Sequence, residues 1–545
     1  MLAWEKINEQ ARSYSQQFSE AVTTPIETQT TFLKRLLNSN KDTEFGQQYN
    51  FANIKSVDDF QKIVPIQNYD SLEPYIENNF QYSMPTLSHM QTLLFEKTSG
   101  SSGAAKIIPY NKFSLDGFRH AIYPWLYNLM HEIPSIMDGT AYWSISPAGR
   151  KAEVSPCGIA IGVTNDAVYF GDKTANFIEN TLSVPSWVSL IESIEVWRYI
   201  SLRFLLCDSD LRLISVWSPT FLLQLVEPLL RDEYSQNLIS DIANGDIPFD
   251  ELKPFDKEHI FEPNPHRAAI IKQALSFPSD QEQTVNTELL WPKLKLISCW
   301  ADASSQAYSK QLQKLFPQVL IQPKGLLATE GAITLPLLSI NNTVLTVNSG
   351  FYEFISEDGN IYLCDQLVVG QTYAVLLTNS SGLYRYEVGD LVMVTAWHEN
   401  TPCLSFVGRN GSTTDLCGEK ITESFIIPYL NKIAGFTLLV PYQHDKNPHY
   451  RLYVDANSIN EKKSEDIAHQ LEIDLSNNPQ YAYARKLQQL KMVEIHRCKT
   501  PLLSYEKKSL EKGMRLGDIK PKYLCNDQSW HHSFMQVEHP EGDAF

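Results

Sequence analysis

The spacing of apolar and polar residues indicates a helical N-terminal region followed by alternating strands and helices. Residues 1–90 have a mostly helical pattern, and residues 114–130 repeat apolar side chains at the intervals of an amphipathic helix. Short apolar runs before and after this helix predict buried strands. The predicted strands lie at 92–96, 295–299 and 319–321, and a further helix lies at 308–315. This alternation favours an α/β sheet covered by helices.

The pattern changes between Leu335 and Val407. Short β-rich runs follow one another there, separated by turns at Asp358-Gly359 and Ser381-Gly382. Runs of this length with glycine turns are typical of antiparallel pairing. We therefore expect a β-barrel-like subdomain, either a small barrel or an antiparallel sheet.

The polar, glycine-rich segment 408–411 is the predicted joint between two domains. After it, helical and strand patterns alternate over 423–495 and predict a compact α+β unit. The expected fold class is thus α/β, with a large N-terminal domain at 1–408 that holds the substrates. A small, mobile C-terminal domain at 409–545 would rotate about the joint.

The composition narrows the possible functions. The 545 residues are too many for one hydrophobic core, and 43% of them are hydrophobic, which is typical of a folded protein. The formal net charge of −17 repels phosphate backbones and anionic lipids, so we expect neither nucleic acid nor membrane as a partner. The eight cysteines include no C-x-x-C pair, and the N-terminus lacks a signal-peptide pattern. We expect a cytoplasmic protein, and the oligomeric state stays open.

Two segments carry groups suited to binding phosphates and a metal. Thr98–Gly103, followed by Lys106, offers backbone N–H groups and hydroxyls that can surround phosphates, although such clusters are more often plain loops. Leu327–Gly331 offers the carboxylate of Glu330 as a ligand for the Mg²⁺ that accompanies ATP. The alternative for this second segment is a helix capped by Thr329.

A third segment, Leu383–Asp390, ends in an aspartate that can accept hydrogen bonds from a ribose diol, with Tyr386 packed against the nucleotide. The alternative is an ordinary hairpin that carries a surface ion pair between Arg385 and Glu387. Two lysines beyond the joint, Lys420 and Lys520, complete the set of candidate groups. A lone lysine is usually solvated, so these two lysines support a nucleotide site only when they are taken together with the other segments.

In this order and spacing, the segments resemble the motifs of the auxin-responsive acyl acid–amido synthetases, a family of the adenylate-forming superfamily. The first motif is T-S-G-S-S-G at 98–103, the second is L-A-T-E at 327–330, and the third, G-L-Y-R-Y-x-x-G-D, is intact at 382–390. The similarity covers nearly the whole chain, and we expect a member from outside plants. Leu327 replaces a tyrosine of the second motif, and Trp300–Ala303 has Ala and Asp where many members are glycine-rich.

The resemblance implies roles for individual residues. The nucleotide would be bound by Ser99, Ser101, Ser102, Thr329, Glu330, Tyr386, Asp390 and Arg409. Within this set Glu330 would bind Mg²⁺, and Asp390 would bind the ribose hydroxyls. Lys420 and Lys520 would be catalytic cations brought by the C-terminal domain.

The aromatic residues after the phosphate loop are candidate walls of an acyl pocket. They are Phe118, Tyr123 and Trp143, with Trp125 and Phe170 beside them. For each of them a plain core position is the more frequent outcome.

Together these features predict a ligase that uses ATP and Mg²⁺ to adenylate a carboxylic acid and then transfers the acyl group to an amine, an amino acid in the first instance. One alternative is an acyl-CoA ligase, against which the acidic charge and the absence of a basic track weigh. The other is a catalytically silent ATP-binding regulatory protein. The presence of Glu330, Asp390 and both lysines argues against that alternative.

Overall fold

A computed structural model describes residues 2–97, 106–143, 153–162, 169–250, 252, 261–275, 285–409, 413–443, 448–514 and 516–535. Internal contacts divide the chain into two compact units. Unit 1 comprises residues 1–300, 311–388 and 392–405, and unit 2 comprises residues 301–310, 389–391 and 406–545. Part of the predicted joint, residues 410 and 411, lies outside the described residues, so rotation about 408–411 stays a prediction.

Eighteen α-helices lie in the described part of the chain. They are α1 Leu2–Ala21, α2 Pro25–Ser39, α3 Glu44–Gln48, α4 Val57–Ile63, α5 Tyr69–Tyr82, α6 Lys112–Glu132, α7 Asp172–Glu179, α8 Ile194–Cys207, α9 Pro219–Val226, α10 Asp232–Asn244, α11 Pro265–Ala274, α12 Thr287–Leu290, α13 Gln306–Leu315, α14 Glu423–Leu430, α15 Glu461–Leu475, α16 Pro479–Lys486, α17 Pro501–Glu511 and α18 Trp530–Met535. None of them is both long enough and apolar enough to cross a membrane.

Twenty-two strands lie in the same residues. They are β1 Leu94–Lys97, β2 Ile107–Tyr110, β3 Thr140–Trp143, β4 Glu153–Val154, β5 Ala160–Ile161, β6 Leu211–Ser215, β7 Leu296–Cys299, β8 Leu320–Pro323, β9 Leu327–Ala328, β10 Gly331–Ala332, β11 Thr334–Leu337, β12 Asn342–Leu345, β13 Phe351–Ile355, β14 Ile361–Tyr362, β15 Thr372–Thr378, β16 Tyr386–His398, β17 Thr401–Arg409, β18 Thr413–Thr414, β19 Ile421–Thr422, β20 Thr437–Tyr442, β21 His449–Asp455 and β22 Glu494–Cys498.

A four-stranded parallel sheet of order β3-β6-β7-β8 forms the centre of unit 1. All four residues of β7 are buried, as a parallel strand covered on both faces requires. Helix α6 packs over this sheet, and its Trp125 shares an apolar core with Leu213 of β6 and Leu296 of β7. Because the strands are parallel, their carboxyl ends meet at one edge, where α/β proteins place their ligands.

Helix α6 begins where its sequence supplies a cap. The side chain of Asn111 accepts hydrogen bonds from the backbone N–H groups of Phe113 and Ser114, and the hydroxyl oxygen of Ser114 accepts one from the backbone N–H of Asn111. This reciprocal arrangement satisfies N–H groups that have no partner inside the helix. The helix contains the predicted segment 114–130 and extends it by two residues at each end.

A second sheet of unit 1 has the order β2-β1-β5-β4, and a third has seven strands in the order β11-β12-β17-β16-β15-β13-β14. The third sheet corresponds to the region that the sequence predicts as a small barrel or an antiparallel sheet. Strands β11 and β14 are its two edges, so the described strands form a sheet with two edges. Arg385, just before β16, is buried and forms an ion pair with Glu353 of β13, Nε to Oε2 3.0 Å. The alternative of a surface ion pair between Arg385 and Glu387 is therefore wrong, since Arg385 has almost no exposed surface.

Unit 2 is built on the sheet β20-β21-β22, in which β20 and β21 are antiparallel and β21 and β22 parallel. Its core contains Leu430 of α14, Leu452 of β21 and Leu475 of α15. Ala303, from the segment 301–310, packs against the same core. The α+β character predicted for this region is confirmed in its strands and in helices α14 to α16, and α17 and α18 are additions.

Candidate active site

The predicted phosphate loop joins two paired strands. Strands β1 and β2 are antiparallel, with Lys97 opposite Ile107, so residues 98–106 form the connection at the end of this hairpin. Ser99, Ser101 and Ser102 lie outside the described residues. Lys106, at the end of the connection, places Nζ 3.4 Å from the hydroxyl of Tyr386. The sequence predicts roles near the nucleotide for both of these side chains, and the fold brings the two together.

Thr329 and Glu330 form the two-residue turn between β9 and β10. The alternative of a helix N-cap at Thr329 is wrong, because the segment continues as a strand. Tyr110 donates a hydrogen bond to the carbonyl of Thr329, and Asn379 Nδ2 donates to the carbonyl of Glu330 at 2.5 Å. Both carbonyls of the turn are thereby fixed, so the backbone that carries the Glu330 carboxylate is held rigidly.

Tyr110 is close to two acidic side chains. Burial raises the pKa of Tyr110 well above its usual value. Tyr169 and the charges of Glu96 and Glu330 raise it further. The phenol therefore stays protonated and remains a donor to the turn. Glu330 itself is only 8% exposed. Its carboxylate lies in a sheltered position, where a divalent cation would relieve the cost of burying negative charge.

A cavity of about 80 Å³ opens at the carboxyl ends of the parallel sheet. A buried water needs roughly 10–15 Å³ by the same measure, so the cavity has room for part of a small organic molecule. Trp143 ends β3, Ser215 ends β6 and Lys324 directly follows β8, so one lining residue lies at the carboxyl end of each of these three strands. The other lining residues are Ala121, Ile122, Trp125, Tyr169, Phe170, Trp217, Leu327, Thr334, Leu335 and Pro336.

The predicted acyl-pocket residues separate into two groups. Trp143 lines the cavity, together with Trp125 and Phe170. Phe118 and Tyr123 are not among the lining residues and are buried in the surrounding core. The ring of Phe118 stacks on Tyr110 with centroids 5.6 Å apart, and the hydroxyl of Tyr123 donates to the carbonyl of Phe170 at 2.7 Å.

Within unit 2, two cations and several carboxylates form a polar cluster. Arg409, at the end of β17, donates from Nε to Oδ1 of Asp390 at 3.0 Å, and Asp390 is only 2% exposed. A carboxylate accepts several hydrogen bonds, so this ion pair orients Asp390 and leaves it capacity to accept from a ribose diol. Lys520 belongs to the same cluster, because the charges of Arg409 and Asp390 both influence its protonation.

The pKa of Lys520 is lowered into the range where its charge depends on pH near neutrality. Burial lowers the pKa of Lys520 to about 7, and Arg409 adds to the shift, while Asp390, Asp518 and Asp302 oppose it. Burial likewise raises the pKa of Asp302, against a hydrogen bond from the backbone of Phe406 and the charge of Lys520. Perturbed groups of this kind concentrate at functional sites.

Asp302 and Ala303 belong to the segment in which the sequence departs from the glycine-rich pattern. Ala303 has a backbone φ of +47°, in the left-handed region that glycine occupies at least cost. The fold therefore keeps the conformation for which glycine would be the natural choice, and adds at Asp302 a carboxylate that faces Lys520. Sequence reasoning did not assign Asp302 to the site.

Lys420 lies in a loop held by a buried carboxylate. The backbone N–H groups of Leu416 and Cys417 donate to Glu419 Oε1 and Oε2, both at 2.7 Å, and the hydroxyl of Tyr450 donates to Oε1 as well. Glu419 has no exposed surface, whereas Lys420 is exposed and adopts a φ of +45°. Glu419 thus fixes the loop, and Lys420 is exposed to solvent on it.

Models of three consecutive domains match the chain in order. The GH3 family N-terminal domain matches residues 14–321, the GH3 family central domain residues 343–409 and the GH3 family C-terminal domain residues 421–529. The chain belongs to the GH3 family. The resemblance to this family inferred from the three motifs is confirmed. The predicted α/β class is confirmed by the parallel sheet at the centre of unit 1 and the helices packed on it.

Known GH3 proteins similar to this chain are named as amido synthetases. A jasmonoyl–L-amino acid synthetase (JAR4) of Nicotiana attenuata is 25% identical over 72% of this chain and 70% of its own length. A putative indole-3-acetic acid-amido synthetase (GH3.9) of Arabidopsis thaliana is 27% identical over 73% of this chain and 72% of its own length. The solved structure of the GH3.15 acyl acid amido synthetase matches with a TM-score of 0.84 at 17% identity, over 96% and 95% of the two chains.

Several supporting residues of this GH3 protein escape sequence reasoning. Tyr110, Asn379 and Glu419 hold the segments that carry the candidate groups, and Lys324 and Ser215 are among the polar residues that line the cavity. The sequence offers one indication of Ser215 and Lys324, which is that both stand at or soon after the end of an apolar run typical of a buried strand. Position alone does not distinguish them from ordinary loop residues.

Replacing Glu419 with glutamine should destabilise this GH3 protein by about 2 kcal/mol, because an amide –NH₂ would then face a backbone N–H group that now donates to a carboxylate. Denaturant unfolding monitored by circular dichroism measures the change. Glu465→Gln, an exposed change on α15, provides the matched control and should stay within roughly 0.5 kcal/mol of the parent. Equal stability of the two variants would show that Glu419 does not hold the loop.

Proposed function

We propose that this GH3 protein is an ATP-dependent acyl acid–amido synthetase, which adenylates a carboxylic acid and transfers the acyl group to the amine of an amino acid. One observation carries most weight. The Asp390–Arg409–Lys520 cluster, with its buried carboxylate and a lysine of pKa about 7, has the composition expected where a nucleotide's charge is bound and neutralised. The names of the relatives support the same reaction.

The first step joins the acid to the nucleotide. A carboxylate oxygen attacks the α-phosphorus of ATP, the bond to the bridging oxygen breaks, and pyrophosphate leaves with its electron pair. Asp390 would accept hydrogen bonds from the ribose, and Thr329 would lie beside the α-phosphate. Ser99, Ser101 and Ser102 would donate hydrogen bonds from their hydroxyl groups to the phosphates. Lys520 would offset the charge that gathers as pyrophosphate separates.

The second step requires a neutral amine. The amine attacks the carbonyl carbon of the acyl-adenylate, the nitrogen of the resulting adduct loses a proton to water or to a basic group, and AMP leaves with the electron pair of the broken C–O bond to give the amide. Lys420 would approach during this step, because it is exposed on a loop of unit 2. A rotation of the C-terminal domain between the two steps is the proposed way of exchanging Lys520 for Lys420.

Mg²⁺ fits the residues present only as a partner of the nucleotide. No group of three acidic, cysteine or histidine side chains in the described residues forms a metal cage. Mg²⁺ characteristically keeps its waters and binds through one or two carboxylates plus substrate phosphates, a role for which the single sheltered carboxylate of Glu330 is suited. When bound, the metal would supply positive charge beside the phosphates.

The acid would enter the cavity at the carboxyl ends of β3, β6 and β8. Its walls are mainly aromatic and aliphatic, so they favour an apolar acyl group, and Leu327 belongs both to these walls and to the strand before Thr329. We place the reaction in the cytoplasm, where ATP is available and where the eight cysteines, all free thiols, would stay reduced.

ATP–pyrophosphate exchange tests the proposal. A panel of aromatic, aliphatic and amino-acid carboxylates is supplied with ATP and labelled pyrophosphate, and we expect exchange with a subset of apolar acids. Each active acid is then incubated with amino acids or with coenzyme A, and mass spectrometry should detect the amide. A thioester in place of the amide would support the acyl-CoA ligase instead. Tight ATP binding with no exchange across the panel would support the silent regulatory protein.

A further inference from the structure

The polar lining of the cavity is unusual in its chemistry. Apart from three hydroxyl-bearing residues, the lining residues with a polar side-chain group are one lysine and three tryptophans, and no described residue with a carboxylate, amide or imidazole side chain lines the cavity. Ammonium and indole N–H groups donate hydrogen bonds and cannot accept them. A ligand that pairs with the ammonium or the indole N–H groups must therefore bring hydrogen-bond acceptors.

Lys324 is fixed within the cavity wall. Its ammonium donates to Oγ of Ser215 at 2.5 Å and lies 5.5 Å from the ring centre of Trp125 and 5.1 Å from that of Trp217. The residue is only 8% exposed. Charges act more strongly in such surroundings than in water, so the ammonium attracts an electronegative group that enters beside it.

Trp143 supplies a second donor. Its Nε1 is buried and has no hydrogen-bond partner among the described residues. The ring is held in place by edge-to-face contacts with Trp125 and Phe170, at centroid distances of 6.0 and 5.6 Å. A buried donor without an acceptor costs free energy, which a ligand that brings an acceptor would recover.

We infer that the cavity selects carboxylic acids with a second electronegative group, such as a phenolic hydroxyl, a ketone or a second carboxylate, which accepts hydrogen bonds from Lys324 and Trp143. This inference rests on the proposed adenylation of a carboxylic acid. Lys324 is unsuited to hold the reacting carboxylate, because an ion pair would stabilise the ground state of the nucleophile and slow its attack.

Matched pairs of acids test the inference. Each pair shares one carbon skeleton, for example 3-phenylpropionate with and without a hydroxyl, acetyl or carboxyl group on the ring. The readout is the ratio of kcat/KM in ATP–pyrophosphate exchange for the substituted over the plain acid. We expect the parent protein to prefer at least one substituted acid by about 10²-fold, since a site built to hydrogen-bond a substrate discriminates strongly against the analogue that lacks the group.

Two variants then locate the preference. Lys324→Met keeps the length of the side chain and should bring the ratio close to one, and Trp143→Phe, which keeps a ring and removes the N–H group, should lower it about tenfold. Because the readout is a ratio, any loss common to both acids cancels. Lys314→Met, an exposed lysine on α13, should leave the ratio unchanged.

The outcomes are distinct. A parent protein that prefers every plain acid overturns the inference, and so does an unchanged ratio in Lys324→Met. If no acid supports exchange, the proposed function fails, and titration of tryptophan fluorescence with the same pairs decides the cavity's selectivity independently, since three tryptophans line it. Equal binding of paired acids in that titration would overturn the inference as well. If Lys324→Met is too unstable to assay, the same fluorescence titration compares the binding of paired acids by the parent protein and by Trp143→Phe.

Discussion

Replacing Lys520 with alanine should slow pyrophosphate release about 10²- to 10³-fold, because a cation that offsets charge on the departing phosphates would be gone. The parent protein should also respond to pH in a defined direction. Burial lowers the pKa of Lys520 to about 7 in the nucleotide-free protein. The ammonium is present below that pKa and lost above it, so kcat/KM for ATP should fall as the pH rises through about 7.

Lys520→Arg is the matched variant for this experiment, since a guanidinium stays charged throughout the accessible range. Its kcat/KM for ATP should show no fall near pH 7, whatever its absolute rate. Initial rates of pyrophosphate release between about pH 6 and 9 measure both profiles. An arginine variant with the same descending limb would assign the titration to another group, and an alanine variant at the parent's speed would remove Lys520 from the first step.

Replacing Glu330 with glutamine should raise the Mg²⁺ concentration needed for half-maximal exchange about 10- to 100-fold, because a neutral amide oxygen is a poorer ligand for a hard cation than a carboxylate. The side chain keeps its size, and the turn keeps the hydrogen bonds from Tyr110 and Asn379. The effect should therefore arise from charge alone. Exchange rates over a series of free Mg²⁺ concentrations at fixed ATP give the half-maximal value.

Two controls separate metal binding from general damage. Glu357→Gln removes an exposed carboxylate of the same unit and should leave the Mg²⁺ dependence unchanged. ATP binding in the presence of a chelator should be no weaker in Glu330→Gln than in the parent, since a negative charge near the phosphates has been removed. An unchanged Mg²⁺ requirement in Glu330→Gln would exclude this carboxylate as the ligand.

The regular elements of the large unit could be predicted because their sequence patterns are local. The apolar runs at 295–299 and 319–321 correspond to β7 and β8 within two residues, and the amphipathic segment 114–130 lies inside α6. Each of these patterns reflects a periodic choice between buried and exposed positions, which the neighbouring sequence displays.

The turn at Thr329 and Glu330 shows where local reasoning ends. A threonine followed by a glutamate suits a helix start, and the turn between β9 and β10 is instead fixed by Tyr110 and Asn379, which are remote in sequence. Arg385 likewise suggested a surface pair with its near neighbour and is buried against Glu353. In both cases tertiary hydrogen bonds outweigh the local preference.

The cavity was accessible to sequence reasoning only in part. Trp143 was identified because aromatic residues after a phosphate loop are plausible walls for an apolar acid. Lys324 is not identified from the sequence because a single lysine is almost always solvated, and its burial depends on Trp125 of α6, Ser215 at the end of β6 and Trp217 just after that strand. A pattern along the chain does not reveal an enclosure assembled from such distant positions.

The composition of unit 2 constrains how GH3 proteins can be recombined. A fragment that starts at residue 406 contains Arg409 and Lys520, yet it lacks Asp390 and Asp302, which come from the separate segments 389–391 and 301–310. A chimera that exchanges the C-terminal portion alone between two family members would therefore pair one parent's cations with the other parent's carboxylates. Grafting all three segments together is the exchange that preserves the charge balance around Lys520.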